Sequence, residues 1–201
     1  MSNIEEILSY WFGAGGEPIT LTSFKERTKL WFFKNNETDE HVRTHYAVDV
    51  ERAARGELDA WADSPRGRLA LVLLLDQFPR NIFRGSALSF RSDAHARDWV
   101  SDAVDRGIDA RLTVDERFAF YLPLMHTEDI AFQKRCVDLY ARLRDDAPAE
   151  LKPEFESAHA FAIRHREIIK RFGRFPHRNV ILGRVSSEEE IAFLKEPNSS
   201  F

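Results

Sequence analysis

The sequence is short of the parts that most readily name a function. It has one cysteine, Cys136, so no internal disulfide can form and no cysteine-based zinc site can be built. Its longest near-continuous apolar run, Leu69 to Leu75, is seven residues, against the ~20 that a membrane helix needs. The start, Met1-Ser2-Asn3-Ile4-Glu5-Glu6, has no basic segment and no long apolar stretch, so no secretory signal is expected. Two Asn-x-Ser/Thr triplets, at Asn36 and Asn198, carry little weight without secretion. There is no glycine-rich phosphate loop, no Gly-x-Ser-x-Gly elbow, no His-Glu-x-x-His pair and no dinucleotide fingerprint. The expectation from these absences is a cytoplasmic protein without a cofactor and without a membrane partner.

What is present describes one ordinary domain, residues 1–201. Hydrophobic residues make up 43% and charged residues 31% of the chain, a balance typical of globular proteins. A chain of 201 residues buries roughly 70% of its unfolded surface, and 12% aromatic content supplies a firm core. The net charge of −4 argues against a nucleic-acid coat. Charge is unevenly placed, however: Arg164 to Arg184 holds seven Lys/Arg against the single acid Glu167. A local field of that sign attracts anions, although a solvated face balanced by acids elsewhere in the fold explains it equally well.

Nearly every segment has helical spacing. Ile4, Ile7, Leu8 and Trp11 predict a helix stopped by Gly13, followed by a polar, glycine-rich connection. Phe24 to Phe33 predicts a second helix and Thr38 to Gly56 a third, with Val42, Tyr46, Val50 and Ala53 inward. Ser64-Pro65 is a strong start signal. The helix it opens has scarcely a polar face, which makes it central. Further helices are expected from Ser92 or Asp93 to Gly107, from Thr113 or Asp115 to a stop or kink at Pro123, and from Thr127 to the break at Asp145-Asp146-Ala147-Pro148. Pro153 opens a long one with Phe155, Ala158, Ala162, His165, Ile169 and Phe172 on one stripe, and Ser186-x-x-Glu189 reads as a capping box before the last. About nine helices with short links and no strand pattern predict an all-α fold, a bundle or stacked helix pairs.

Two separated segments nearly repeat each other. Asp76-Gln77-Phe78-Pro79-Arg80-Asn81 and Gly173-Arg174-Phe175-Pro176-His177-Arg178-Asn179 each leave an apolar helix, meet Phe-Pro and then present basic groups and an Asn. Proline cannot continue a helix, so both helices are expected to end near it. The prolines' 97-residue separation fits no repeat period and suggests two halves of one site. The ligand-binding candidates are therefore Arg80, Asn81 and Arg84 on one side and Arg174, Arg178, Asn179 and Arg184 on the other. Arginine suits a bidentate grip on phosphate or carboxylate.

Catalytic candidates are Asp76, His126, Glu128 and His177. Asp76 ends so apolar a helix that it must be paired, and an ion pair with Arg80 competes with a role as base. His126 and Glu128 lie together at a helix junction, where an acid–base role and a plain structural one are both open. His165 on its apolar stripe and Cys136 in mid-helix read as core. A metal site would need a chance meeting of His126, His165 and His177 with Asp76 or Glu128, and none is expected.

The string Leu74-Leu75-Asp76-Gln77-Phe78-Pro79-Arg80-Asn81-Ile82-Phe83-Arg84-Gly85 resembles the signature of domain-of-unknown-function family 924, found mainly in bacteria. Pro123-Leu124-Met125-His126, Arg171 to Asn179 and Phe193-Leu194-Lys195-Glu196-Pro197 resemble it too, so the likeness covers essentially the whole chain. The resemblance implies an all-α fold of the tetratricopeptide-like kind and brings no assigned activity. The residues themselves point to a small anionic ligand, phosphate or carboxylate, in an Arg/His-lined pocket, with acid–base catalysis by His126 or His177 as an added option. The alternative is a scaffold for a peptide or protein, with Trp31-Phe32-Phe33 as an apolar contact patch. Nucleic-acid binding through Arg164 to Arg184 ranks last.

Overall fold

A computed structural model of the chain describes residues 2–13 and 19–200. The glycine-rich connection expected after Gly13 falls on 14–18, outside the described residues. Every regular element is helical: α1 (Ile4–Phe12), α2 (Leu21–Phe32), α3 (Asn36–Ala54), α4 (Pro65–Val72), a π-helical segment (Leu73–Gln77), α5 (Phe78–Ile82), α6 (Asp93–Asp105), α7 (Val114–Phe120), α8 (Leu122–Met125), α9 (Ile130–Asp146), α10 (Lys152–Phe172) and α11 (Glu188–Phe193), with short 3₁₀ turns between some of them. The segment from α4 to α5 is one unbroken rod, and only Tyr121 separates α7 from α8. The described residues thus form nine helical rods and no strand, as the periodicity predicts. No helix among them is long and apolar enough to cross a membrane.

The rod from α4 to α5 is the centre of the fold. Leu69 through Leu75 are all fully buried, and α1, α3, α6 and α7 pack around them. Ser64 caps α4 by accepting from the Gly67 amide at 3.0 Å, with Pro65 at the first turn, so the start is set by two local features. Its end departs from expectation. Proline does not stop the helix at Pro79, because the preceding turn widens into the π segment, where the Phe78 amide donates to the Leu73 carbonyl. A wider turn relieves the clash between the proline ring and the carbonyl one turn back. The chain then continues helically to Ile82 and turns at Gly85, whose φ of 79° suits glycine.

Aromatic rings fill the space between α2, α7 and α10. Phe24 lies 5.2 Å from Phe155 and 5.5 Å from Phe118, and Trp31 lies 5.6 Å from Phe118. Trp31 is therefore not part of an exposed patch: it is buried and donates its Nε1–H to the Trp11 carbonyl at 3.0 Å, leaving Phe32 and Phe33 outside. Helix α9 packs along α10, and a connection this short makes the pair antiparallel. Cys136 and His165 are buried in that layer, as read from the sequence. The cap of α11 is Ser187 with Glu190, one residue later than Ser186 with Glu189. The reason lies outside the helix: Arg174 draws the Glu190 carboxylate inward, and Ser186 Oγ instead accepts from Asn179.

Candidate functional site

The π segment decides what Asp76 does. It turns the Asp76 side chain, fully buried, toward α8 and α5 together. One carboxylate oxygen lies 2.8 Å from His126 Nδ1 and 3.0 Å from Arg80 Nη1, and the other accepts from Gln77 Nε2. Arg80 continues to Asp93 at the start of α6, where it makes a two-pronged pair at 3.1 and 3.0 Å. Burial pushes the Asp76 carboxyl up, but Arg80 and His126 outweigh it and hold the group down at about 2. His126 is lowered from its ordinary value by burial and by the Arg80 charge, against the opposing pull of Asp76. It is thus neutral at pH 7, with the Nδ1 proton given to Asp76, which leaves Nε2 as an acceptor.

The next turn is closed by α3. Arg84 clamps Asp39 through Nε and Nη2, both at 2.6 Å, and Asn81 donates to the same carboxylate at 2.9 Å. Arg80 and Arg84 thus each meet acids from another helix, which removes the mutual repulsion that their four-residue spacing raises.

At the second Phe-Pro exit, α10 ends on Gly173 in the left-handed region (φ 68°) and a single 3₁₀ turn carries Pro176 to Arg178. Four of the predicted residues hold this segment in place. Glu128 accepts from the Phe175 amide at 2.8 Å and is gripped twice by Arg184, at 2.6 and 2.9 Å. Arg174 clamps the buried Glu190 at 2.6 and 2.8 Å, and Asn179 donates to Ser186 and Glu190. Arg178 and His177 turn the other way, toward α5 and α8.

Arg178 is where the two exits meet. Its guanidinium is 4.6 Å from the Phe90 ring and 4.7 Å from the Phe175 ring, a sandwich of two aromatic faces. Its ion-pair partner is Asp93, 3.6 Å away and already held in two-pronged fashion by Arg80. Its Nε is buried and makes no hydrogen bond. Burial, and then Arg80, push its pKa down to about 10, low for a guanidinium. His177 is lowered to about 4, by burial first and Arg178 second.

These groups open on one cavity of about 670 Å³. Arg80, Asn81, Arg84, His126, His177 and Arg178 line one end, with Gln77 and Ser89; Phe24, Trp31, Phe32, Phe118, Leu122 and Phe161 line much of the rest. A second depression, about 760 Å³, is lined by Asn3, Ile4, Glu5, Ser64, Pro65, Arg66 and Arg111, with no histidine, and its Arg66 is paired with Glu5 and Glu116. Among the described residues no group of three or more His, Cys, Asp or Glu is placed to hold a metal ion.

The chain matches, over residues 7–198, the family model described as a bacterial protein of unknown function, DUF924. It belongs to that family. This DUF924 chain is also similar to a solved structure of a protein of unknown function from Agrobacterium tumefaciens, at 38% identity and a TM-score of 0.79, with 96% of each chain covered. Among curated proteins none matches it.

Of the residues singled out in the sequence, the structure brings Arg80, Asn81, Arg84, His126, His177 and Arg178 to the cavity, with Asp76 directly behind them. Glu128, Arg174, Asn179 and Arg184 stand in the network that supports the second exit. Two residues that sequence reasoning passed over complete the candidate site: Asp39 and Asp93. Asp39 was legible, because it precedes Val42 and Tyr46 on the inward stripe of α3 and is itself buried. Asp93 carried no such signal, since an acid in a first helical turn is ordinary.

Proposed function

We propose that this protein binds a small organic anion, phosphate or carboxylate, in the cavity, with Arg178 as the anchor and His126 as a proton acceptor beside it. The observation that carries this is Arg178 itself. A buried cation is costly unless paired and hydrogen-bonded, yet its Nε lacks a partner and its nearest carboxylate, Asp93, is engaged by Arg80. A bound anion in the cavity supplies the guanidinium with a counter-charge of its own. Arg80 and Asp93 hold the guanidinium's surroundings fixed, which limits the ordering cost of binding.

The Asp76–His126 pair adds an acid–base element. Asp76 fixes the ring's tautomer and orientation, and a neutral imidazole at pH 7 is ready to take a proton from a ligand held at Arg178. The lone, buried Cys136 is compatible with work in the cytoplasm.

The reading is tested by a thermal-shift screen of wild type and Arg178→Gln against phosphates, nucleotides and organic acids. A ligand at 100 times its dissociation constant adds about 2.7 kcal/mol, or roughly 5–10 °C for a chain of this length. A shift for one anion class that Arg178→Gln abolishes supports the proposal. No shift with any anion, in a folded wild type, refutes it. The surviving reading is then a protein-interaction scaffold, for which the half-exposed Phe32 and more exposed Phe33 at the cavity rim offer a contact patch.

A further inference from the structure

We propose that the ligand is a monocarboxylate carried on an apolar body, an alkyl or aryl acid, and not a phosphate or a small hydrophilic acid. This rests on the anion-site reading above and deepens it. Charge is the first argument. Three guanidiniums and three carboxylates stand at the polar end, and two of the guanidiniums are already closed: Arg84 on Asp39, and Arg80 on Asp76 and Asp93. Among the described lining residues, Arg178 is the one cation whose carboxylate neighbour is shared and distant, at 3.6 Å.

The neighbouring histidines do not add positive charge at pH 7, since burial holds His126 and His177 in the neutral form. Three against three, the end is already balanced, so every negative charge a ligand brings stays uncompensated and a single charge is tolerated better than two. A phosphate dianion would set a second beside Asp76 and Asp93, where like charges at short range repel strongly.

The shape of the cavity is the second argument. Its volume, about 670 Å³, equals that of roughly twenty water molecules, far more than a carboxylate fills. Away from Arg178 the wall is aromatic and aliphatic: Phe24, Trp31, Phe118 and Leu122, with Phe161 and Phe32 toward the opening. Ring packing fixes that wall, with Phe32 5.9 Å and Trp31 5.6 Å from Phe118. The acid at that side, Glu154, is paired with Lys25 at 3.4 Å. Thr28, Ser157 and Tyr140 line the cavity as well, and the Tyr140 hydroxyl already donates to the Phe118 carbonyl at 2.7 Å. A surface so rich in rings gains by shedding water to an apolar tail. One end with an under-paired guanidinium, joined to a largely aromatic chamber, selects an amphipathic acid.

The test is calorimetric titration of the wild-type protein with acetate, butanoate, hexanoate, octanoate and 3-phenylpropanoate, with 1-octanol, inorganic phosphate and phenyl phosphate alongside. Affinity is expected to rise about three- to fourfold per added methylene as the chain grows, with a heat-capacity change that becomes more negative with length. Octanol should bind at least about tenfold more weakly than octanoate, and phosphate more weakly than hexanoate. Arg178→Gln should bring octanoate down to the level of octanol. A series flat in chain length, with phosphate or acetate binding as well as octanoate and lost in Arg178→Gln, overturns this inference and leaves the anion site standing. Octanol equal to octanoate, or no binding by any of the set, overturns both. The wild-type series alone decides between these outcomes if Arg178→Gln does not fold.

Discussion

Replacing Asp76 by Asn tests how the central rod and the cavity are joined. The substitution keeps size and shape but removes a charge that has no contact with solvent. It also swaps one acceptor oxygen for a donor, set among three donors: His126 Nδ1, Arg80 Nη1 and Gln77 Nε2. Breaking a buried pair from one side costs about 3–5 kcal/mol. Here the lower end applies, because Arg80 keeps its two bonds to Asp93.

The carboxyl is held below its ordinary value, to about 2, by Arg80 and His126 against its burial, which agrees in direction with a stabilising role for the charge. A loss of about 3 kcal/mol lowers the melting temperature by roughly 6–12 °C at this chain length. Urea unfolding at pH 7, where the lowered pKa keeps His126 neutral, reads the loss. A loss below about 1 kcal/mol refutes the account of the Asp76–Arg80–His126 cluster.

Three further expectations follow from the same geometry. His177 titrates at about 4 in the folded chain against 6.5 unfolded, so its stabilisation is complete above pH 6.5 and is lost as the pH falls toward 4. At pH 5 the deficit is about 2 kcal/mol, and His177→Gln should flatten the wild-type decline in urea midpoint between pH 7 and 5 by that amount; an unchanged decline contradicts it. Arg174→Ala strips Glu190 of its two-pronged partner and should lower the urea midpoint with the cavity intact, whereas an unchanged midpoint would show that Asn179 and the Ser187 cap hold Glu190 without it. Cys136 is fully buried and its thiol is pushed up by burial, so a thiol reagent should label it on the order of 10³-fold more slowly in buffer than in urea, and fast labelling in buffer would mean that the α9–α10 layer opens.

The fold was largely legible because helix signals are local. Ser64-Pro65, the Gly13 stop and the apolar stripes of α3 and α10 each act within a few residues, and each recurs in the structure where the sequence places it. The continuation through Pro79 was not legible. A proline reads as a stop unless the turn before it widens, and widening depends on what packs around Asp76. The one-residue slip in the α11 cap has the same origin, since Arg174 chooses between Glu189 and Glu190 from outside the helix.

At the site, residue types were readable and pairings were not. Arg178 and Arg184 look alike in sequence, six residues apart behind one Phe-Pro. The difference between them is that Arg184 meets Glu128 at 2.6 Å while Arg178 finds only a shared Asp93 at 3.6 Å. Tertiary packing alone assigns those partners. Asp39 was recoverable from its place on the stripe of α3; Asp93 was not.

The most direct test of the central claim is a crystal structure of the protein with hexanoate. The account predicts the carboxylate within hydrogen-bond distance of the Arg178 guanidinium, on the side of His126, with the carbon chain against Phe118 and Trp31. Hexanoate bound elsewhere, or seated in the cavity with its carboxylate turned away from Arg178, would contradict it.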